Sequence, residues 1–129
     1  KETQPLNKKG MMEVTILKAD FLEDHDMLGK MDAFMRFKYH HGAEQTSVAE
    51  DAGKHPVFEE KFSLVNIHTE VQNGTFLELE ALEKDLTSED FLGKTGPIPW
   101  SDLCEYIGLI KHDVEMFDTK GNKIGNVIF

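Results

Sequence analysis

Apolar and polar residues alternate with a period of two through most of the patterned segments of this chain, the spacing of half-buried strands. In "MMEVTILKA" Met12, Val14 and Ile16 oppose Glu13 and Thr15. "AFMRFKY" sets Met35, Phe37 and Tyr39 on one face and Phe34, Arg36 and Lys38 on the other. "FEEKFSL" groups Phe58, Phe62 and Leu64, with Glu60 as the odd member of that face. "FLELEAL" lines up Leu77, Leu79 and Ala81, and "DVEMF" and "NKIGNVIF" read as two further strands around a turn at "DTKGN". Clusters of Gly, Asp, Asn and Pro separate these segments at the spacing of an all-β sandwich. The expected fold is an antiparallel Greek-key β-sandwich of eight strands. One short helix is expected at 101–108, with Ser101 as its cap and Gly108 at its end. Residues 1–10, "KETQPLNKKG", lack periodicity and read as a flexible arm, leaving 11–129 as one domain.

A length of 129 residues suits a single domain with a substantial core, and 40% hydrophobic residues is ordinary for a soluble protein. No apolar run approaches the roughly 20 residues of a spanning helix, and no signal-peptide pattern opens the chain. The single Cys104 excludes an internal disulfide framework and points to a reducing, cytoplasmic setting. It reads as a small packing residue, not a reactive thiol. A formal charge of −10 repels nucleic acid and anionic lipid unless something masks it, so the placement of the acids matters.

Eight acids concentrate in two segments between strands, Glu23, Asp24, Asp26 and Asp32 in 23–32 and Glu83, Asp85, Glu89 and Asp90 in 83–90. A solvated acidic face is the plainer explanation of one such loop. Two enriched loops that also interleave Met27, Leu28 and Leu86 argue for more, because carboxylates this dense repel one another without a cation among them. Hard oxygen ligands on loops suit Ca2+, which takes about six to eight of them in loose geometry. Zinc would want His or Cys, and His25 is the one such residue there. An EF-hand fails the same test: counted from Asp24, Leu28 and Met35 occupy positions that require oxygen ligands.

"MEVTILKADFLEDHDMLGKMDAF", "HPVFEEKFSL" and "LEALEKDLTSEDFLGKTGPIP", in that order, resemble a C2 domain, with the match running from Met11 to Phe129. The family's marks are an Asp followed after five residues by Asp-Pro-Tyr, a strand-opening Asn-Pro-x-Trp-Asn-Glu, and Asp-x-Asp ahead of Asp-x-x-Gly. The strand order is similar to the second of the family's two topologies and to its small stand-alone members. The resemblance implies an eight-stranded sandwich whose loops at one end bind calcium and then phospholipid. It assigns Asp26 and Asp32 to the first loop and Glu83, Asp85 and Asp90 to the third, with the backbone oxygens of His25 and Lys84 as further ligands. Met27, Leu28 and Leu86 fall where family members dip into the bilayer; Lys30 in the first loop and Lys54 near the second could touch headgroups or simply offset local acid. The near-repeat of "DMLGK" (26–30) and "DFLGK" (90–94) is then no repeat: Asp90 closes a loop and Phe91 opens a strand. This chain departs from the pattern at Ala33, His55, Phe58 and Glu83, and Asp85 and Asp90 stand one residue closer than is usual. Weaker affinity or fewer ions follows from the last two changes.

The implied function is calcium-dependent binding to anionic phospholipid membranes, by a monomer that makes no nucleic-acid contact. Two divalent ions would shift the charge of the loop tips by about +4, turning repulsion of headgroups into attraction. "RFKYHHGAEQTSVAE" offers Arg36 and Lys38 to phosphoinositides but dilutes them with Glu44 and Glu50. The alternative is a calcium-independent C2 domain that binds protein partners as a scaffold. Catalysis is not expected, for no nucleophile elbow, phosphate-cradling glycine loop or zinc spacing is present.

Overall fold

A computed structural model of the chain describes residues 11–23, 30–39, 42–65, 76–85, 88–99 and 111–129. The expected arm at 1–10, the expected helix at 101–108 and Cys104 lie outside the described residues.

The strands form where the period-two pattern places them. They are β1 (Met11–Phe21), β2 (Ala33–Tyr39), β3 (Gly42–Gln45), β4 (Val57–Val65), β5 (Phe76–Lys84), β6 (Glu89–Lys94), β7 (Ile98–Pro99), β8 (Asp113–Phe117) and β9 (Lys123–Ile128). All the pairings are antiparallel, in the order β3-β2-β5-β6-β8-β9-β1-β4, with the two-residue β7 set against β5 off this path. The joint between β6 and β8 is a single pair, Lys94 with Phe117. The path therefore folds into two four-stranded layers hinged along that edge, an all-β sandwich close to a barrel.

The core lies between the layers. From the first come Ala33, Met35, Phe37, Leu77, Leu79 and Ala81, and from the second Ile16, Ala19, Met116 and Val127, all with no exposed surface. The rings of Phe37 and Phe62 meet edge to face across it, 5.1 Å between centroids. In β1 the register to β4 shifts between Ile16 and Lys18. Two residues of β1 there stand against three of β4, and across that irregularity the buried positions of β1 pass from Val14 and Ile16 to Ala19 and Phe21.

Three polar features modify the simple alternation. Glu60, opposite Ile16 in β4, accepts hydrogen bonds from the Ser47 amide (3.0 and 3.1 Å) and the Ser47 hydroxyl (2.5 Å). The two ends of the strand path are thereby tied across the side away from the hinge, which is why a carboxylate is tolerated there. Phe34 points outward as the alternation predicts, yet it is buried. The Arg36 guanidinium lies 5.8 Å from its ring centroid, held by Gln45 and Glu89, while Leu82 is its cross-strand neighbour. Thr46 is buried with its hydroxyl accepting the Met35 amide at 3.0 Å.

Backbone ties draw four connections to one end of the sandwich. The described ends of the first loop (22–23 and 30–32) and of the third turn (Asp85 and Ser88), the second loop (46–56) and the fourth turn (118–122) lie there. Phe21 N donates to the Lys54 carbonyl (2.7 Å), Gly53 N to Met31 (3.0 Å), Lys84 N to Asp32 (2.8 Å) and Leu22 N to Ile124 (2.8 Å).

Candidate acidic loop site

The acids expected to act together reach this end by two routes. Asp32 closes the first loop at the doorstep of β2, and Ala33 stands opposite Glu83 in the β2–β5 ladder. Glu83 in turn stands opposite Asp90 in the β5–β6 ladder. Residues opposite each other in a ladder share a face, so Glu83 and Asp90 project on the side that carries Ala81 and Leu79 lower down. Glu83 is buried and Asp90 exposed. Opposed like charges at this spacing destabilise a sheet unless a cation lies between them.

The second acidic segment forms a shorter loop than its sequence suggests. The loop expected over 83–90 contracts to a turn in which Asp85 N donates to the Ser88 carbonyl at 2.8 Å. Glu83, Lys84, Glu89 and Asp90 are ladder residues, and β6 begins at Glu89, not at Phe91. The physical reason is the tight closure at Asp85–Ser88, which lets the strands zip up to the turn in spite of their charge. Asp85 and Lys84 are both exposed, and Lys84 stands opposite Glu89 on the outer face.

Asp32 is held in place by the second loop. Its Oδ1 accepts the Asp51 amide at 2.6 Å, and Asp51 adopts a left-handed backbone, φ 52°. Asp tolerates that conformation better than most side chains. Sequence reasoning passed over Asp51; the signal available was "EDAG", an acid shortly before a turn glycine. It also passed over the role of Asp118 in the fourth turn. The Asp118 carboxylate accepts the amides of Lys120 and Asn122, each at 2.9 Å. The Asn122 amide, ahead of the smaller effects, holds its pKa below the ordinary carboxylate value of 3.8.

Asp26, His25, Met27, Leu28 and Leu86 lie outside the described residues. Lys30 is exposed at the far end of the first loop. Among the described residues, no three or more His, Cys, Asp or Glu side chains gather closely enough to hold a metal ion. Asp32, Glu83, Asp85 and Asp90 offer the all-oxygen donors a hard cation takes, and the β5–β6 ladder sets Glu83 opposite Asp90. In kind they fit calcium, which takes carboxylate oxygens.

Three cations on the outer face of β2, β5 and β6 are paired with acids. Lys38 lies 2.9 Å from Glu80, Arg36 3.2 Å from Glu89 and Lys94 3.5 Å from Glu78. At the second loop, His55 Nδ1 lies 3.0 Å from Asp20 Oδ1. Among the described residues, no helix is long and apolar enough to cross a membrane.

A C2 domain family model matches residues 10–112. The 16 kDa phloem protein 2 of Arabidopsis thaliana is 32% identical over 81 residues, 63% of this chain and 52% of that protein. The chain thus spans about half the length of this curated relative. Among solved structures, a C2 domain of plant extended synaptotagmin 1 superposes with a TM-score of 0.76 at 18% identity, over 97% of this chain and 92% of that one. The paired C2 domains of extended synaptotagmin 2, solved with calcium bound, superpose with a TM-score of 0.71 at 20% identity, over 97% of this chain and 46% of that one.

Proposed function

The chain belongs to the C2 domain family, and from that premise we propose that it is a calcium-dependent module for anionic phospholipid membranes, acting peripherally. Family members commonly bind membrane lipids or proteins and are generally non-catalytic. The observation that carries the reading is the opposed pair Glu83 and Asp90 in the β5–β6 ladder, with Asp32 next to Ala33, the residue opposite Glu83 on its other side. Carboxylates set opposite one another in a ladder repel, and a cation shared between them relieves that repulsion. The calcium present in the solved extended synaptotagmin 2 domains supports the choice of cation.

The residues that would hold calcium are Asp26 and Asp32 from the first loop and Glu83, Asp85 and Asp90 from the third, with the backbone oxygens of His25 and Lys84. A bound divalent ion supplies positive charge and open positions for a lipid phosphate. The remaining work belongs to the chain. The Asp51 amide orients the Asp32 carboxylate by occupying one of its oxygens. Met27, Leu28 and Leu86 would enter the acyl boundary, each worth roughly 1–2 kcal/mol when fully inserted. Lys30 would lie at headgroup level. Arg36, Lys38 and Lys94 face acids on the outer sheet, so that face adds little attraction for phosphoinositides.

Titration calorimetry tests the reading. Saturable calcium binding that disappears in the Asp26→Asn/Asp85→Asn double variant supports it. No heat and no thermal stabilisation at millimolar calcium would overturn it. The second reading, a calcium-independent protein-binding domain, is favoured by one observation: Asp32 Oδ1 is already engaged by a backbone amide. The same negative result in the titration would select it.

A further inference from the structure

The clasp between Ser47 and Glu60 joins the open side of the sandwich to the acidic end. Ser47 gives both its amide and its hydroxyl to one carboxylate, the hydroxyl at 2.5 Å from Glu60 Oε2. Just beyond it, the second loop makes a series of ties toward the first. Ala49 N donates to the Ala33 carbonyl (2.9 Å), Asp51 N to Asp32 Oδ1 (2.6 Å) and Gly53 N to the Met31 carbonyl (3.0 Å). Ser47 is therefore the entry point of the segment that positions Asp32. It is exposed, whereas the neighbouring Thr46 is buried and its hydroxyl is spent on Met35 N and the Ser47 carbonyl. Of the two adjacent hydroxyls, one can be reached from solvent. The surrounding sequence, "AEQTSVAED", puts Glu44 before it and Glu50 and Asp51 after it. Such a stretch complements a basic substrate groove.

We propose that Ser47 is a phosphoacceptor for an acid-directed protein kinase, and that its phosphorylation breaks the clasp to Glu60 and frees the second loop from Asp32. The γ-phosphoryl group of ATP passes to Ser47 Oγ, the new O–P bond replaces the bond to the β–γ bridging oxygen, ADP departs, and the hydroxyl proton leaves to the kinase's base. The product carries a charge of about −1.5 to −2 at neutral pH. It would stand where the hydroxyl now donates to a carboxylate, with the donor proton gone. Two anions at that separation repel, and Glu60 is limited in its escape because it springs from the core-facing side of β4 opposite Ile16. The mobile partner is the segment entering the second loop. Loss of its hold lets Ala49, Asp51 and Gly53 part from the first loop, and the Asp32 carboxylate loses the amide that orients it. The consequence for Asp32 as a ligand rests on the calcium reading; the clasp and its opening do not.

The test uses the full chain in calcium-free buffer with chelator. The protein is treated with a purified acid-directed serine kinase and ATP, and the phosphate is located by mass spectrometry, with Ser47→Ala as control. Amide hydrogen exchange is then followed at Ala49, Asp51 and Gly53. Phosphate at Ser47 and exchange at least about tenfold faster at these amides is expected. Glu60→Gln, which keeps an acceptor without the charge, should reduce that increase. Phosphate confined elsewhere, for example to Ser88 ahead of Glu89 and Asp90, overturns the proposal. So does phosphorylated Ser47 with unchanged exchange. Because no calcium is present, failure here leaves the calcium reading standing, and a failed calcium titration leaves this result intact.

Discussion

Asp90→Asn distinguishes an acidic site from an acidic surface by the sign of its effect. The β5–β6 register places Asp90 opposite Glu83, where Cβ atoms stand about 4.5–5.5 Å apart. Two unit charges about 5 Å apart repel by roughly 0.8 kcal/mol at the dielectric of water and roughly 3 kcal/mol at an effective value near 20. Glu83 is buried and Asp90 exposed, so an intermediate cost of about 1–2 kcal/mol applies. Asparagine keeps the shape and removes the charge. In chelator the variant should therefore melt higher than the parent chain, by roughly 3–8 °C for a domain of this size. In millimolar calcium the order should reverse, since the parent gains binding free energy that the variant loses; about 2.7 kcal/mol is available at a hundredfold excess over Kd. Thermal melts monitored by circular dichroism, with and without calcium, read both arms. A variant that melts lower in chelator refutes the repulsion. An equal calcium gain in both proteins removes Asp90 from the site.

Glu59 adopts a left-handed backbone with φ 53° at the irregular start of β4, a conformation that costs an ordinary L-residue about 1–2 kcal/mol. Glu59→Asn should stabilise by about 0.5–1 kcal/mol and Glu59→Val should destabilise, in urea titrations; the reverse order would show that the strain is not there. A Cβ on Gly125 would collide with the Asp20 carbonyl oxygen and crowd Phe21 Cα in the neighbouring strand. Gly125→Ala should cost about 2–3 kcal/mol in the same assay, and a change under about 0.5 kcal/mol would mean that β1 and β9 part easily. Asp118 has its pKa lowered by the Asn122 amide. The stability it contributes is complete above the unfolded value and is lost as pH falls through the lower folded value, so the window lies below pH 3.8. Asp118→Asn should flatten the fall of stability in that acid window, and an unchanged acid limb would show that the turn does not contribute to it.

Much of the sandwich was legible because its strands bury one face. "AFMRFKY" is β2 to the residue, and "DVEMF", "DTKGN" and the segment after it are β8, its turn and β9. β3 escaped notice because Gly42, Ala43, Glu44 and Gln45 are all exposed and carry no alternation. In the sequence Glu89 and Asp90 look like loop residues, which hides the start of β6; the turn at Asp85–Ser88 draws them into the ladder. Glu60 was recognised as out of pattern, but its partner Ser47 lies 13 residues away and reaches it by the closing of the sandwich. In the candidate site, the clustering of acids could be read directly. Which of them stand opposite one another could not, since register depends on the bulge between Ala81 and Leu82 as well as on the pattern. Asp51 acts through its backbone amide, which no side-chain motif announces. The Asn of the family's strand-opening motif at the place of Glu59 was a usable clue, because Asn accepts the left-handed backbone this position requires.

If calcium on the acidic loops drives attachment to anionic membranes, co-sedimentation with vesicles will read it out. Vesicles of phosphatidylcholine with and without phosphatidylserine are mixed with the protein, in calcium or in chelator, alongside the Asp26→Asn/Asp85→Asn variant. The parent chain should pellet with phosphatidylserine vesicles in calcium and stay in solution in chelator, and the variant should fail to pellet in either. Equal pelleting in calcium and chelator, or none in either, would contradict it.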